Sequence, residues 1–104
     1  MKNYEELLEK AKEWREWYYD GDPGTPEVAK STEEAFNLIN ATLFGHIYQR
    51  PKLDAKIRSL CTIAALIVLD KPNQLPGHIT GALNYGWSKE EIVELITQML
   101  FYGG

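Results

Sequence analysis

The sequence predicts an all-α protein of five helices that form a single domain over residues 1–104. Two observations support this fold class. Apolar residues recur at helical spacing in successive segments, and no segment shows the alternation of apolar and polar residues that marks a half-buried strand. A chain of 104 residues also supplies enough apolar surface for one core but too little for two.

Two amphipathic helices are predicted in the N-terminal half. The first spans residues 3–20, and its apolar face carries Tyr4, Leu7, Leu8, Ala11, Trp14 and Tyr18. Thr25-Pro26 supplies an N-cap and a first-turn proline for the second helix, which is expected to reach about Gln49, before Pro51. A capping box at Ser31-x-x-Glu34 lies within it. Its predicted core face comprises Ala35, Phe36, Ile39, Leu43 and Ile47.

Three further helices follow. The third covers Leu53–Leu69 and is apolar on all sides from Leu60 onward, which is typical of a helix buried all round. The fourth ends at Gly86, a residue suited to a helix C-terminus. The last begins with the capping box Ser88-x-x-Glu91. Because one short chain has too few helices to cover the third and the last, the pattern predicts a homo-oligomer.

Composition and charge argue against several classes of function. The formal net charge is -4, so the chain lacks the basic surface that nucleic acids and anionic membranes attract. The longest apolar run, Leu60–Leu69, is far shorter than the roughly 20 residues of a membrane-spanning helix. The charged N-terminus lacks the apolar core of a signal peptide. We therefore expect a cytoplasmic protein with no nucleic-acid or membrane partner.

Neither a metal nor a cofactor is predicted. The sequence contains no HExxH motif and no paired Cys/His spacing, and it has no GxGxxG motif or phosphate-binding loop. Its one cysteine, Cys61, cannot form a disulfide within the chain.

Three residues are candidates for chemistry. His78 lies at the border of an apolar helix face, about 60° of helix rotation from Leu75. Such a histidine is either a core-edge residue bonded to a backbone carbonyl or a partly desolvated group that transfers protons near neutral pH. Arg58 is either solvated or placed at a pocket rim, where arginine binds carboxylates through two hydrogen bonds. Cys61 is either a small buried hydrophobe or a thiol that Arg58 activates.

Several short motifs follow one another in the second half of the chain. They are Arg50-Pro51-x-Leu53-Asp54, Arg58-Ser59-Leu60, His78-Ile79-x-Gly81-Ala82-Leu83-Asn84-x-Gly86, Glu90-Glu91-Ile92 and Tyr102-Gly103. This ordered set resembles the carboxymuconolactone decarboxylase family, well over residues 34–104 and loosely over residues 5–33. The resemblance implies an alkylhydroperoxidase D-like helical fold, His78 as the catalytic residue, and a hexamer built as a trimer of dimers.

The resemblance is to the decarboxylase branch of that family rather than to its peroxidase branch. The peroxidase branch uses Glu-x11-Cys-x2-Cys-x3-His, and counting back from His78 places Ser59, Lys71 and Gln74 at the acid and the two thiols. A disulfide cycle needs an attacking and a resolving thiol. One cysteine in another position cannot run that cycle within one chain.

The resemblance therefore favours a cofactor-free decarboxylase-like lyase that acts on a small cyclic carboxylic acid such as a carboxymuconolactone. The substrate of the namesake enzymes carries two carboxylates, which Arg58 and Arg50 would bind. His78 would return a proton to carbon, and Ser59 or Tyr48 would hydrogen-bond the dienolate oxygen. His46 and Tyr48 stand where the decarboxylases are expected to carry an acid and a tryptophan. The predicted substrate-binding residues are Arg58, Arg50, Ser59, Tyr48 and His46.

Two alternatives stay open at this point. One is a thiol-dependent peroxidase or antioxidant that uses Cys61 alone with an external reductant. The other is a non-catalytic helical oligomer that keeps the fold without the activity.

Overall fold

The computed structural model describes residues 3–21 and 32–103. Five α-helices occur in these two ranges, which contain no strand, so the all-α prediction is confirmed. The helices are α1 (Tyr4–Tyr18), α2 (Glu33–Ile39), α3 (Ala55–Val68), α4 (Leu75–Asn84) and α5 (Lys89–Met99). The predicted helix start at Thr25-Pro26 and the capping residue Ser31 lie outside the described residues. None of the helices in the described ranges is both long and apolar enough to cross a membrane.

Three of the helices end in the same way. Asp20 after α1, Asp70 after α3 and Gly86 after α4 adopt φ angles of 59°, 55° and 97°. The residue that follows each one donates its N–H to a carbonyl five positions earlier, at 2.7, 2.9 and 3.1 Å. This pattern satisfies carbonyls that would otherwise be unpaired at a helix end. The predicted stop at Gly86 is therefore confirmed, as is the capping box of Ser88 and Glu91 at the start of α5.

The second predicted helix departs from its expected course. Regular α-helix ends at Ile39, a π-helical turn covers Asn40–Phe44, and a short 3-10 turn covers Ile47–Gln49 before Pro51. The extra residue of a π turn rotates the positions after it by about 100°, which changes the residues that face the core. The predicted core face is wrong in part: Leu43, within the π turn, is exposed, and so are Ala35 and Ile39 (56%), which precede the turn. Asn40, Ala41 and Phe44 are buried instead.

Gly45, directly after the π turn, allows the backbone to approach α1 closely. A Cβ atom on Gly45 would lie 2.2 Å from the backbone carbonyl oxygen of Leu7 in α1. Only glycine permits so close an approach of two backbones. The π turn therefore packs directly on α1.

The core divides into two clusters that α4 separates. An aromatic cluster joins α1 to the irregular turns, and its buried members are Ala11, Trp14, Tyr18, Phe44 and Tyr48. An aliphatic cluster joins α3, α4 and α5 through Ile63, Ala82 and Ile92. Since α4 contacts both α1 and α3, its residues lie where the two clusters meet.

Within the single chain, α3 is covered on one side only. One side of α3 is covered by α4 and α5, but Ile57, Cys61, Val68 and the following Leu69 are exposed. The all-round apolar pattern of the sequence therefore corresponds to one covered face and one exposed apolar face within this chain.

Candidate active site

His78 lies on α4 and is held by two tyrosines from the end of α1. Its Nδ1 atom is 2.9 Å from the hydroxyl of Tyr18, and its Nε2 atom is 3.3 Å from the hydroxyl of Tyr19. The side chain is 7% exposed. Both ring nitrogens are thus engaged by phenol groups in a largely dry environment.

The sequence around His78 is adapted to the approach of α1. A Cβ atom on Gly81 would lie 1.9 Å from the ring of Tyr18, and one on Gly77 would lie 2.8 Å from the ring of Tyr19. Glycines one position before and three positions after the histidine therefore provide the space that the two rings occupy. This explains in physical terms why small residues flank His78.

Asn84 fixes the end of α1 against α4. Its side-chain amide N–H groups point to the carbonyls of Trp17 and Tyr18 at 3.0 and 3.1 Å, and to the carboxylate of Asp20 at 2.8 Å. These carbonyls belong to the last turn of α1 and have no partner within the helix. Asn84 thus ties α1 to α4 beside the residues that reach His78.

The protonation state of His78 follows from its burial. Burial lowers the pKa of His78 to about 4, because a charged imidazolium is poorly solvated there. The ring is therefore neutral at pH 7 and carries one N–H.

A hydrogen on Nδ1 satisfies the most groups. In that tautomer, Nδ1 donates to the Tyr18 oxygen, the Tyr18 hydroxyl donates to the His78 carbonyl at 3.3 Å, and the Tyr19 hydroxyl donates to Nε2. If the hydrogen were on Nε2, the Tyr18 hydroxyl would donate to Nδ1 instead, and its hydrogen bond to the His78 carbonyl would be lost. We therefore assign the proton to Nδ1.

The two tyrosines remain protonated at ordinary pH. Burial raises the pKa of Tyr18 well above its usual value, and burial raises the pKa of Tyr19 to about 12 despite the opposing charge of Arg15. Tyr18 is fully buried and stacks on Trp14 with ring centroids 4.4 Å apart. Tyr19 is only half-buried, so its hydroxyl is the more accessible partner of His78.

Tyr48, a member of the aromatic cluster, is linked through Thr62 to the backbone of Arg58. The Tyr48 hydroxyl donates to the hydroxyl of Thr62, which donates to the Arg58 carbonyl at 3.0 Å. Burial raises the pKa of Tyr48, although the Thr62 hydrogen bond and the nearby Arg58 charge oppose the increase. The Arg58 side chain also donates through Nε to the Leu53 carbonyl at 2.9 Å. Tyr48 belongs to the same packed cluster as Tyr18, and this connects the two regions.

The other predicted site residues are scattered. Ser59 is fully buried, and its hydroxyl donates to the Lys56 carbonyl at 2.6 Å within α3. His46 is half-buried in the bend before the 3-10 turn, while Arg50 and Cys61 are exposed. None of these four hydrogen-bonds to His78. In the described part of the chain, no group of three or more His, Cys, Asp or Glu side chains is arranged to bind a metal ion.

Arg15 and Tyr18 of α1 and Tyr19 just after it belong to the site, although the sequence does not predict this. The sequence pattern places Tyr18 on the core face of the first helix and indicates no functional role for Tyr19 or Arg15. The signal that points to them is indirect, because Gly77 and Gly81 indicate only that another element approaches His78. No local spacing identifies which element it is.

Arg15 is unusual because aromatic rings surround its charge. Its guanidinium carbon lies 5.8, 5.5 and 5.9 Å from the ring centroids of Tyr19, Phe36 and Phe44. These are distances at which a cation is attracted to an aromatic face. The Nε atom is buried and has no hydrogen-bond partner within residues 3–21 and 32–103.

These features define a class of protein: an all-α domain whose candidate site is a buried, neutral histidine between two tyrosines, in a chain with a single thiol. The chain belongs to the carboxymuconolactone decarboxylase family, whose model matches residues 33–104. The resemblance drawn from the motifs is therefore confirmed. Helix α1, which contributes both tyrosines, precedes the matched segment.

Three curated relatives illustrate this similarity. The chain is 37% identical over 68 residues to the 4-carboxymuconolactone decarboxylase of Acinetobacter baylyi, covering 65% of this chain and 51% of that protein. It is 36% identical over 73 residues to the nitrosuccinic acid decarboxylase npaB of Metarhizium robertsii, covering 70% and 51%. It is 45% identical over 64 residues to an uncharacterized 15.0 kDa protein of Paracoccus denitrificans, covering 59% and 47%. The chain thus spans about half the length of the curated relatives it matches.

Proposed function

We propose that this protein is a cofactor-free, decarboxylase-like lyase that acts on a small cyclic carboxylic acid such as a carboxymuconolactone. Family membership and two relatives that are named as decarboxylases support the reaction class. The observation that carries the proposal is the state of His78, which is buried, neutral and bonded at both nitrogens by groups that hold protons.

The reaction needs a site that accepts negative charge and returns a proton. Breakage of the bond between the ring carbon and the carboxylate releases carbon dioxide, and the electron pair moves into the ring carbonyl as a dienolate. One proton must then be added to carbon. Hydrogen-bond donors aimed at the dienolate oxygen and a positioned acid at the carbon lower this barrier.

His78 is the residue proposed to supply that proton. An anionic substrate beside the ring favours the imidazolium, so binding raises the pKa of His78 from about 4 and the ring takes up a proton from solvent. The imidazolium then protonates the dienolate carbon and returns to its neutral form. Tyr18 keeps the ring oriented through both states, because its hydroxyl can accept a hydrogen bond as well as donate one, and Nε2 delivers the proton when the substrate displaces the Tyr19 hydroxyl.

The remaining roles follow from the chemistry of the side chains. Arg58 and Arg50 are proposed to bind substrate carboxylates, which suits the forked donor geometry of a guanidinium. The dienolate oxygen is proposed to accept a hydrogen bond from Tyr48 or Ser59, which would exchange its present bond to Thr62 or to the Lys56 carbonyl for one to the substrate. His46 lies in the bend just before Tyr48 and is proposed to contact the substrate from there.

The decisive experiment measures carbon dioxide release from γ-carboxymuconolactone by the purified full chain. His78→Gln keeps a neutral hydrogen-bonding side chain of similar shape and should lower turnover by about a hundredfold or more, the usual contribution of a general acid. Lys12→Gln, at an exposed position of α1, is the matched control and should retain turnover. Circular dichroism establishes that each variant is folded. Undiminished turnover in folded His78→Gln would refute the role of the histidine, and inactive wild-type protein would favour the non-catalytic alternative.

A further inference from the structure

Arg15 places a charged guanidinium among the aromatic rings of Tyr19, Phe36 and Phe44. Its Nε atom is buried and unpartnered among the described residues. A buried N–H of a charged group is normally matched by an oxygen, because leaving it unpaired forfeits its hydration without a replacement. An anionic ligand would supply the missing oxygen.

The surroundings of Arg15 favour a carboxylate in particular. The rings of Tyr19, Phe36 and Phe44 lie within 6 Å of the guanidinium carbon and limit its motion without using its N–H groups. An arginine oriented in this way loses little entropy when it forms two parallel bonds to a carboxylate. The partly dry environment also strengthens the attraction between opposite charges.

Tyr19 connects this guanidinium to the candidate active site. One face of its ring contacts Arg15, and its hydroxyl is 3.3 Å from Nε2 of His78. A carboxylate bound to Arg15 therefore lies at the edge of the pair that is proposed to transfer the proton. Its negative charge would also favour the imidazolium form of His78.

We propose that Arg15 is a substrate-binding residue that holds a carboxylate of a small organic acid beside Tyr19 and His78. This inference rests on the proposed function, and it assigns recognition of the substrate to α1, which precedes the segment that matches the family model.

The experiment uses the full chain labelled with 15N and the probe cis,cis-muconate, a dicarboxylate that has no lactone ring and reports binding without turnover. The Nε–H signal of Arg15 should move downfield as the probe is added, because the hydrogen acquires a carboxylate acceptor. The ring signals of His78 should shift at the same probe concentrations. This measurement on wild-type protein needs no substitution and therefore does not depend on the stability of any variant.

Variants then test whether the guanidinium is responsible. Arg15→Gln should weaken muconate binding by about tenfold or more, the range expected for loss of one charge-assisted hydrogen-bonded pair. Arg15→Lys should recover only part of the affinity, because an ammonium keeps the charge without the two-pronged geometry. Lys12→Gln removes the same charge from an exposed position of the same helix and should bind as the wild type does.

The outcomes separate this inference from the proposed function. Arg15-dependent muconate binding in a protein that releases no carbon dioxide would support the inference and refute the lyase. Carbon dioxide release with the same KM in wild type and Arg15→Gln would support the lyase and refute the inference. An Arg15 Nε–H signal that does not respond to saturating muconate would also refute the inference, as would binding that is lost in Arg58→Gln but kept in Arg15→Gln.

Discussion

His78 combines two properties that are difficult to obtain together, a low basicity and full hydrogen bonding. Burial between two helices lowers its pKa to about 4, while the hydroxyls of Tyr18 and Tyr19 engage both nitrogens. Because those hydroxyls can donate or accept, they do not fix the charge of the ring. Burial favours the neutral form of His78, and a bound anionic substrate would favour the imidazolium form.

The first prediction concerns the pH dependence of stability. The pKa of His78 is about 4 in the folded protein and about 6.5 in the unfolded chain. Between these values the unfolded chain binds a proton that the folded protein does not, so the free energy of unfolding falls as the pH decreases. The loss should reach at most about 3 kcal/mol by pH 4 and should be absent above pH 7. Urea denaturation at pH 7.5, 5.5 and 4.5 would measure it.

The control for that prediction is His78→Gln, measured at the same pH values. Other ionisable groups also contribute to the pH dependence of stability, so the informative quantity is the difference between wild type and variant. The variant should lose less stability than the wild type on acidification. Identical pH profiles would mean that the pKa of His78 is not lowered in the folded protein.

A second prediction concerns Cys61. Its side chain is exposed on α3, and the chain has no other thiol to resolve an oxidised cysteine. Cys61→Ser should therefore leave carbon dioxide release unchanged, and the wild type should consume hydrogen peroxide slowly in the presence of dithiothreitol. Rapid peroxide consumption that disappears in Cys61→Ser would favour the thiol-dependent peroxidase instead.

The sequence identifies His78 but not its partners, because helical spacing relates only residues that are close together in the chain. The border position of His78 on an apolar helix face is a local property that helical spacing reveals. Tyr18 and Tyr19 are about sixty positions away in the chain, and only the packing of α1 on α4 brings them to the ring. Arg15 escapes for the same reason, because its aromatic neighbours Phe36 and Phe44 come from another element.

Among the helices, α1 and α4 form the contact that creates the candidate site. The ring of Tyr18 fits beside α4 because Gly81 has no Cβ atom. The side chain of Asn84 donates hydrogen bonds to C-terminal carbonyls of α1. The contact therefore uses one steric feature and one polar feature of α4. The same two residues belong to the motif that carries the family resemblance, which gives that motif a structural explanation.

The third prediction tests this contact. Gly81→Ala would place a methyl group 1.9 Å from the Tyr18 ring, which is itself fully buried and stacked on Trp14. The displacement should lower the free energy of unfolding by about 1–3 kcal/mol, the usual cost of overpacking. It should also raise the pKa of His78 towards its ordinary value, because α1 no longer covers the ring. Urea denaturation and an NMR titration of the histidine ring would measure the two effects.

Gly103→Ala is the matched control for Gly81→Ala. A Cβ atom there would meet its nearest neighbour, the Cα of Val68, at 3.4 Å, which is close to an ordinary contact. The control should change neither quantity appreciably. Wild-type stability together with an unchanged histidine pKa in Gly81→Ala would contradict the packing described here.

Helix positions follow from the sequence more readily than helix faces do. The stop at Gly86 and the capping box at Ser88 are specified by residues within one or two turns. The π turn at Asn40–Phe44 has no such local marker, because it is stabilised by the approach of Gly45 to α1. The predicted burial of Leu43 fails at this turn, whereas the helical character of the segment is correct.

At the level of the whole molecule, apolar surface remains exposed on one side of the chain. Ile57, Val68 and Leu69 form part of it along and just beyond α3, and residues 100–102 form another part after α5. The two parts adjoin, since Gly103 lies against Val68. Trp14 and Tyr18 are buried in the core and are not available for a subunit contact, whereas Trp17 is 48% exposed.

The last prediction is that this surface mediates self-association into a hexamer built as a trimer of dimers. Side chains such as Phe101, which is 85% exposed, gain free energy when a second copy covers them, and a two-fold contact is the commonest way to cover one surface with itself. Light scattering behind size exclusion should give the mass of six chains. Ile57→Glu should reduce it, because association would then bury an unpaired charge, whereas Lys12→Glu on the polar face of α1 should not. Cys61 lies on the same side of α3, one turn after Ile57, so iodoacetamide should modify it faster in Ile57→Glu than in the wild type. A monomeric wild type would contradict the role assigned to the apolar surface, whereas a dimer or trimer would contradict only the hexameric state.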